Sequence, residues 1–358
     1  MFRSFFFAFG FILSANATEP VLKGWQPEVR RIEIQSSVDQ SLQPALTWSP
    51  ASKETQPLLV GLHTWSGDYT QASNGRSYAQ WCMDRGWHFI YPHFRGPNRT
   101  PESMGSDLAV QDIVDAVEQM KKTQRVDTNR IYLIGVSGGG HMAMLMAGRH
   151  PEIWAGVSAW CGISDIAAWH NEHLTDGTPD NYARNIEQAL GGRPTAERLE
   201  DARKRSPLTH LAQARNVPLD INHGIHDGRV GSVPFRHGLF AFNKVATEPL
   251  APTEISAYYE SQQRPSNWTA PDADALYVGL PLKKPGMSAE LAHQPVSKPV
   301  LFRKVSGNAR ITLFDGGHEI LYAPALNWLA LQRKGQAAVW QISNPLPVGP
   351  EADTQSGL

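Results

Sequence analysis

The sequence predicts an α/β fold, with a mostly parallel central sheet covered by helices on both faces. Three observations predict it. Short apolar strand-like runs alternate with helix-like periodicity along most of the 358 residues. Leu58-Leu59-Val60-Gly61-Leu62 is apolar throughout, as a strand buried on both faces requires. The stretch Gly138–Arg149 is apolar nearly all round, which suits a central helix with no solvent face.

The elements follow in order. Residues 1–17 read as a secretion signal: Arg3 gives the positive start, Phe5–Leu13 a short apolar run, and Ala15-Asn16-Ala17 a small-residue cleavage site before Thr18. That run has about nine residues where a membrane span needs about 20, so a soluble protein, secreted or periplasmic, is expected. An opening strand pair is expected at Arg31–Ser37 and Ala45–Ser49, then strand Leu58–Leu62, a helix near Ser77–Asp84 and strand His88–Tyr91. Ser106 can cap the next helix, where Val110, Ile113, Val114 and Val117 repeat at i, i+3, i+4, i+7. Strand Ile131–Ile134, the buried helix 138–149 and strands at Ala155–Trp160 and Leu219–Asn222 come next. Val300–Val305 and Ala309–Phe314 flank Ser306-Gly307-Asn308 as a β-hairpin, and Leu326, Leu329 and Ala330 fit a closing helix.

Residues 18–343 are expected to form a single domain with two interruptions. Residues 163–215 are polar and helical in character, long enough for a cap over one end of the sheet. Residues 247–298 are rich in proline and turn residues and read as a loop insertion. Residues 344–358 read as a frayed tail.

Composition removes several function classes. Lys+Arg 33 against Asp+Glu 34, a net charge of -1, argues against a nucleic-acid partner, which calls for a basic stripe. With 41% hydrophobic and 19% charged residues the chain is not disordered. Two cysteines, Cys82 and Cys161, are too few for a disulfide scaffold or a thiolate zinc site; in an oxidising compartment they could pair if the fold brings them together. His170-Asn171-Glu172-His173 and His223-Gly224-Ile225-His226 have an H-x-x-H spacing, but neither is H-E-x-x-H, so neither a catalytic metal nor any other cofactor is expected.

The chemistry gathers at three places. Gly135-Val136-Ser137-Gly138-Gly139 is G-x-S-x-G between a strand and a helix, where a serine on a sharp turn projects above the sheet. A nucleophilic serine needs a base, and the base needs a carboxylate to orient it. Strand Leu219–Asn222 runs into His223-Gly224-Ile225-His226-Asp227-Gly228-Arg229-Val230, and strand Ile311–Phe314 into Asp315-Gly316-Gly317-His318. Ser137, Asp227 and His318 therefore stand in the order serine, acid, base, each just beyond a strand.

From about Leu58 to Leu331 the chain resembles an α/β-hydrolase, and most of all the catalytic domain of the prolyl oligopeptidase family and its secreted esterase relatives. The resemblance rests on the serine motif, Arg205-Ser206-Pro207-Leu208, the stretch His223–Val230, Gly316-Gly317-His318, and Phe94-Arg95-Gly96 with Asp112 and Ile113 after it. It implies Ser137 as nucleophile, Asp227 as orienting acid and His318 as base. The oxyanion hole is expected at the N–H of Gly138 and one from His63-Thr64-Trp65-Ser66-Gly67, either Thr64 or Trp65, with Trp65 preferred. Trp160 and Trp268 are candidate substrate-lining residues. Nothing resembles the β-propeller repeats of the large oligopeptidases, and residues 247–298 lengthen the Asp227-to-His318 interval beyond the family's usual spacing. The expected function is an exported serine esterase acting on a small-molecule or polysaccharide ester. A secreted peptidase is the alternative, and a non-catalytic binding protein on the same scaffold a third reading.

Overall fold

The structure is a computed structural model that describes residues 22–269, 276–279 and 296–341. The expected secretion signal and tail lie outside the described residues. Strands β1 (Arg30–Gln35) and β2 (Leu42–Trp48) open the chain, followed by β3 (Gln56–Leu62), α1 (Ala72–Arg85), β4 (His88–Pro92) and α2 (Asp107–Thr123). Next come β5 (Val126–Val136), α3 (Gly138–Arg149) and β6 (Gly156–Trp160). The stretch expected as a cap carries α4 (Ile166–Glu172), the short hairpin β7 (Leu174–Thr175) and β8 (Thr178–Pro179), α5 (Asn181–Leu190), α6 (Leu199–Lys204) and α7 (Pro207–His210). The chain then forms β9 (Leu219–Gly224), α8 (Arg236–Val245), α9 (Pro252–Ser261), β10 (Leu276–Gly279), β11 (Val296–Ser306), β12 (Ala309–Phe314) and α10 (Tyr322–Leu329).

Ten strands form one sheet in the order β1-β2-β4-β3-β5-β6-β9-β12-β11-β10. The six central strands from β4 to β12 run parallel, and the edges are closed by antiparallel pairs. Side chains alternate between faces along each strand. Thus Leu58, Val60, Leu62, Ile131 and Leu133 join one apolar cluster, while Leu59, Tyr132, Ile134 and Val136 join the other. Burial on both faces is why these strands read as continuous apolar runs. α2 begins where expected: Ser106 Oγ accepts from Ala109 N–H at 3.1 Å, and Val110, Ile113 and Val117 are buried beneath it.

Two expectations need correction. α1 starts at Ala72, before Ser77, and its first turns take in Gly75, where a Cβ would lie 2.5 Å from the Trp25 ring. The segment 247–298 is not simply a loop, since it contains α9, begun by Pro252 and seated by Ile255, Tyr258 and Tyr259. Cys82 and Cys161 are both buried and free. No helix among the described residues is long and apolar enough to cross a membrane.

Candidate active site

β5 runs into Ser137, which has φ +61° and ψ −122°, and α3 starts at once behind it. A side chain held in this sparsely populated region costs about 1–3 kcal/mol, so the surroundings must enforce it. They do so by close approach. A Cβ at Gly135 would lie 2.3 Å from Gly139 O, and one at Gly138 would lie 2.4 Å from Trp65 N. Ser137 N–H donates to Trp160 O at 2.9 Å, tying the turn to the end of the neighbouring strand β6.

β6, β9 and β12 are successive parallel neighbours beyond β5, so the loops leaving their C-terminal ends lie side by side. Asp227 follows β9 and His318 follows β12. His318 Nδ1–H donates to Asp227 Oδ2 at 2.7 Å. Asp227 is fully buried and accepts three more hydrogen bonds: Gly228 N–H and Val233 N–H on Oδ1, both at 3.0 Å, and His223 Nε2–H on Oδ2 at 3.1 Å. Burial pushes its carboxyl up, but the bonds from His223 and His318 outweigh this and hold it below the usual carboxylate range. The acid is therefore ionised and fixed in rotation. His318 keeps about a quarter of its side chain exposed, Ser137 much less.

The Ser137 turn and the His318 loop meet through one residue. Cys161, next after Trp160, sets Sγ 3.6 Å from Gly317 O and 3.4 Å from Glu319 O, the carbonyls flanking His318. Among the described residues, Ser137 Oγ has no hydrogen-bond partner. Cys161, Asp227 and His318 also form the single trio of potential metal ligands among the described residues, with donor atoms within 4.8 Å. Burial pushes the Cys161 thiol well up, so it keeps its proton and makes a poor ligand.

The loop after β3 separates the two oxyanion candidates. Thr64 N–H donates to Gln71 Oε1 at 3.0 Å and is committed there. Trp65 N lies against Gly138, whose own N–H begins a helix and has no partner within it. Trp65 is pinned: its carbonyl accepts from Asn98 N–H at 2.9 Å and Asn98 Nδ2 at 3.1 Å, its indole N–H donates to Asn185 Oδ1 at 3.2 Å, and its ring packs edge-on to Trp169 with centroids 4.6 Å apart.

Trp160 meets the Ser137 turn only through its backbone, and neither its indole nor that of Trp268 bonds to these groups. Trp160 is fully buried, its indole N–H on Ser158 Oγ at 2.9 Å, and it is core. Trp268 packs against Phe302 and Tyr258 with its N–H on Glu254 Oε2 at 2.8 Å, so it anchors α9. The H-x-x-H pairs are divided among carboxylates: His170 bonds Glu187, His173 bonds Asp180, and His226 bonds Asp315 at the surface. His223 alone of the four turns inward to the acid. Sequence reasoning missed that role, although a histidine four residues before Asp227 at a strand end was the available signal.

Residues 73–248 match the family model of the prolyl oligopeptidase family. Over that stretch, just under half of the chain, the sequence is similar to the prolyl oligopeptidase family. The matched stretch contains Ser137, Asp227 and His223, and His318 lies beyond it. Feruloyl esterase B of Thermothelomyces thermophilus is 24% identical over 180 residues, 48% of this chain and 59% of that protein. The acylamino-acid-releasing enzyme of Mus musculus is 24% identical over 161 residues, 42% of this chain but 20% of the mouse protein. The chain thus spans under two thirds of either relative. A solved prolyl endopeptidase aligns with TM-score 0.50 and 17% identity over 66% of this chain and 36% of its own, a likeness of fold. The fold is that of the α/β-hydrolases, and residues 73–248 are similar to the prolyl oligopeptidase family.

Proposed function

We propose that this chain is an exported carboxylic ester hydrolase working through an acyl-enzyme, with Ser137 as nucleophile, His318 as base and Asp227 as orienting acid. The observation that carries this reading is the 2.7 Å bond from His318 Nδ1–H to a buried, four-fold bonded Asp227; Ser137, at φ +61°, follows a strand of the same parallel sheet. His318 Nε2 takes the Ser137 proton as Oγ attacks the carbonyl carbon, and Asp227 stabilises the imidazolium through Nδ1–H. Gly138 N–H and Trp65 N–H receive the oxyanion, and each such donor contributes about 3–4 kcal/mol. The tetrahedral intermediate collapses as His318 protonates the leaving alcohol, and water then releases the acid by the same steps in reverse order.

The ester preference is supported by the likeness to feruloyl esterase B, with an acyl group on a polysaccharide as the favoured substrate class. The peptidase reading has the mouse acylamino-acid-releasing enzyme behind it. Parallel assay on hydroxycinnamoyl esters, acetylated glycans and N-acyl dipeptide amides separates the two, and dominant amide turnover refutes the ester reading. Ser137→Ala should lower p-nitrophenyl acetate turnover by about 10⁴ or more and abolish labelling by a fluorophosphonate; retained activity removes Ser137 from its role. Export is supported by Arg3, the apolar run and Ala15-Asn16-Ala17. N-terminal sequencing of protein from a secreting host should begin at Thr18.

A further inference from the structure

The acid of this site carries two histidines, and the reading above uses only one. His223 is fully buried at the end of β9. Its Nε2 lies 3.1 Å from Asp227 Oδ2 and 2.9 Å from Val233 O. Both neighbours are acceptors, so Nε2 holds the ring proton and shares it between them. Nδ1 is buried with no partner. α8 closes over it: a Cβ at Gly238 would come within 3.1 Å of Nδ1. Leaving a buried acceptor unmatched costs about 1–3 kcal/mol, and an apolar residue of similar size would avoid that cost. What the ring supplies instead is a second N–H aimed at the same carboxylate oxygen that accepts from His318.

We propose that His223 is a positioning residue that fixes the Asp227 carboxylate and, by sharing Oδ2 with His318, sets the pH at which the base becomes available. The inference rests on the triad reading above. With two rings on one oxygen, less of its negative charge is directed at His318 Nδ1–H, so the protonated base is held less tightly. Removing the His223 donor returns that charge to His318 and moves deprotonation to higher pH. Of the other titratable groups on the elements packed here, the Cys161 thiol lies within 4.8 Å of the Asp227 and His318 donor atoms and, its pKa pushed up by burial, adds no charge; the rest are committed elsewhere. His237 of α8 bonds Glu172 and Ser164, and Arg236 of α8 bonds Glu172.

The test is the pH profile of kcat/KM for the parent, His223→Leu and His223→Gln on p-nitrophenyl acetate. In His223→Leu the acid limb should move up by about half a unit to one unit and kcat should fall several-fold. His223→Gln keeps an N–H that can reach Oδ2 and should restore the parent's limb. An unmoved limb in His223→Leu overturns the proposal, as does an equal shift in both variants, which is what a purely structural role would give. Spectra of ¹⁵N-histidine-labelled parent protein supply a second measurement that needs no variant to fold. They should show His223 protonated at Nε2 and bare at Nδ1, and the opposite tautomer overturns the proposal. Fluorophosphonate labelling of the parent at Ser137 keeps the two readings apart: no label there is a failure of the nucleophile assignment, whereas a label with an unmoved limb is a failure of the His223 role.

Discussion

Gly138→Ala tests the oxyanion pair directly. A Cβ there would lie 2.4 Å from Trp65 N and 2.6 Å from the Trp65 Cα, where ordinary contact begins at 3.4 Å. About 1.0 Å must therefore open between the two backbones. Neither side yields easily. Gly138 begins α3, which is buried all round, and Trp65 is held by Asn98 at its carbonyl, Asn185 at its indole N–H and Trp169 at its ring. The displacement falls on the gap that would hold the oxyanion. Misplacement by an ångström costs about 10²-fold and loss of one donor about 10²–10³ in kcat, so a fall of that size at nearly constant KM is expected. Initial rates on p-nitrophenyl acetate give both constants, and a thermal melt shows whether the variant is folded. A folded Gly138→Ala whose kcat stays within about fivefold of the parent's would refute the assignment of Gly138 and Trp65.

Asn185→Ala frees the indole of Trp65 and should lower kcat about three- to tenfold at unchanged KM, on steady-state kinetics; a rise in KM alone would mean that the indole shapes the pocket and does not aim the N–H. Burial holds His63 and His141 down to about 4, against an ordinary 6.5. Between those values the unfolded chain binds protons that the native state refuses, so this stability is fully present above pH 6.5 and is lost as pH falls toward 4. From pH 6.5 to pH 5 each histidine should withdraw about 1.6 kcal/mol, read by urea denaturation, and a flat profile would refute it. Arg310 Nε donates to Asp220 Oδ1 at 2.7 Å, both groups being buried. Arg310→Met leaves a buried carboxylate without its cation and should cost about 3–5 kcal/mol in the same assay; adding Asp220→Asn should recover part of the loss.

The sheet was legible because its strands are buried on both faces: Leu58–Leu62 and Ile131–Ile134 carry an apolar run that admits few other readings. The sites of Ser137, Asp227 and His318 were legible for a topological reason. Each follows a strand, parallel neighbours bring those ends together, and glycines mark the sharp turns. α8 and α9 escaped notice although Gly238, Ala241, Phe242 and Val245 repeat at helical spacing, because proline-rich and polar flanks dominated the window. Trp160 and Trp268 were misread for a different reason: an aromatic beside a loop looks the same in sequence whether its ring faces the site or the core. The bonds from Trp65 to Asn185 and from His223 to Asp227 have no periodic signature. The first joins residues 120 apart in the chain, and the second depends on which of two histidines in H-x-x-H turns inward.

The helices of residues 163–204 do more than cover one end of the sheet. Trp65 and Val233 belong to the same apolar cluster as Ile166, Trp169 and Ile186 of α4 and α5. The first carries the N–H beside Gly138, and the second carries an N–H that holds Asp227 Oδ1. Ser232, next to Val233, accepts at its carbonyl from Trp169 Nε1–H and His173 Nε2–H, both at 2.8 Å. Glu172, at the end of α4, is bonded to Arg236 and His237 of α8. The insertion therefore grips the loop of Asp227 on one side and that of Trp65 on the other through an apolar cluster and part-buried hydrogen bonds. A lid that only admits substrate would need contacts that open readily to water, whereas Trp65, Ile166, Trp169, Ile186 and Val233 of this cluster are almost wholly buried. On the reading proposed above, the cap is a splint for the reacting groups, so changes within it should register in kcat before they register in KM.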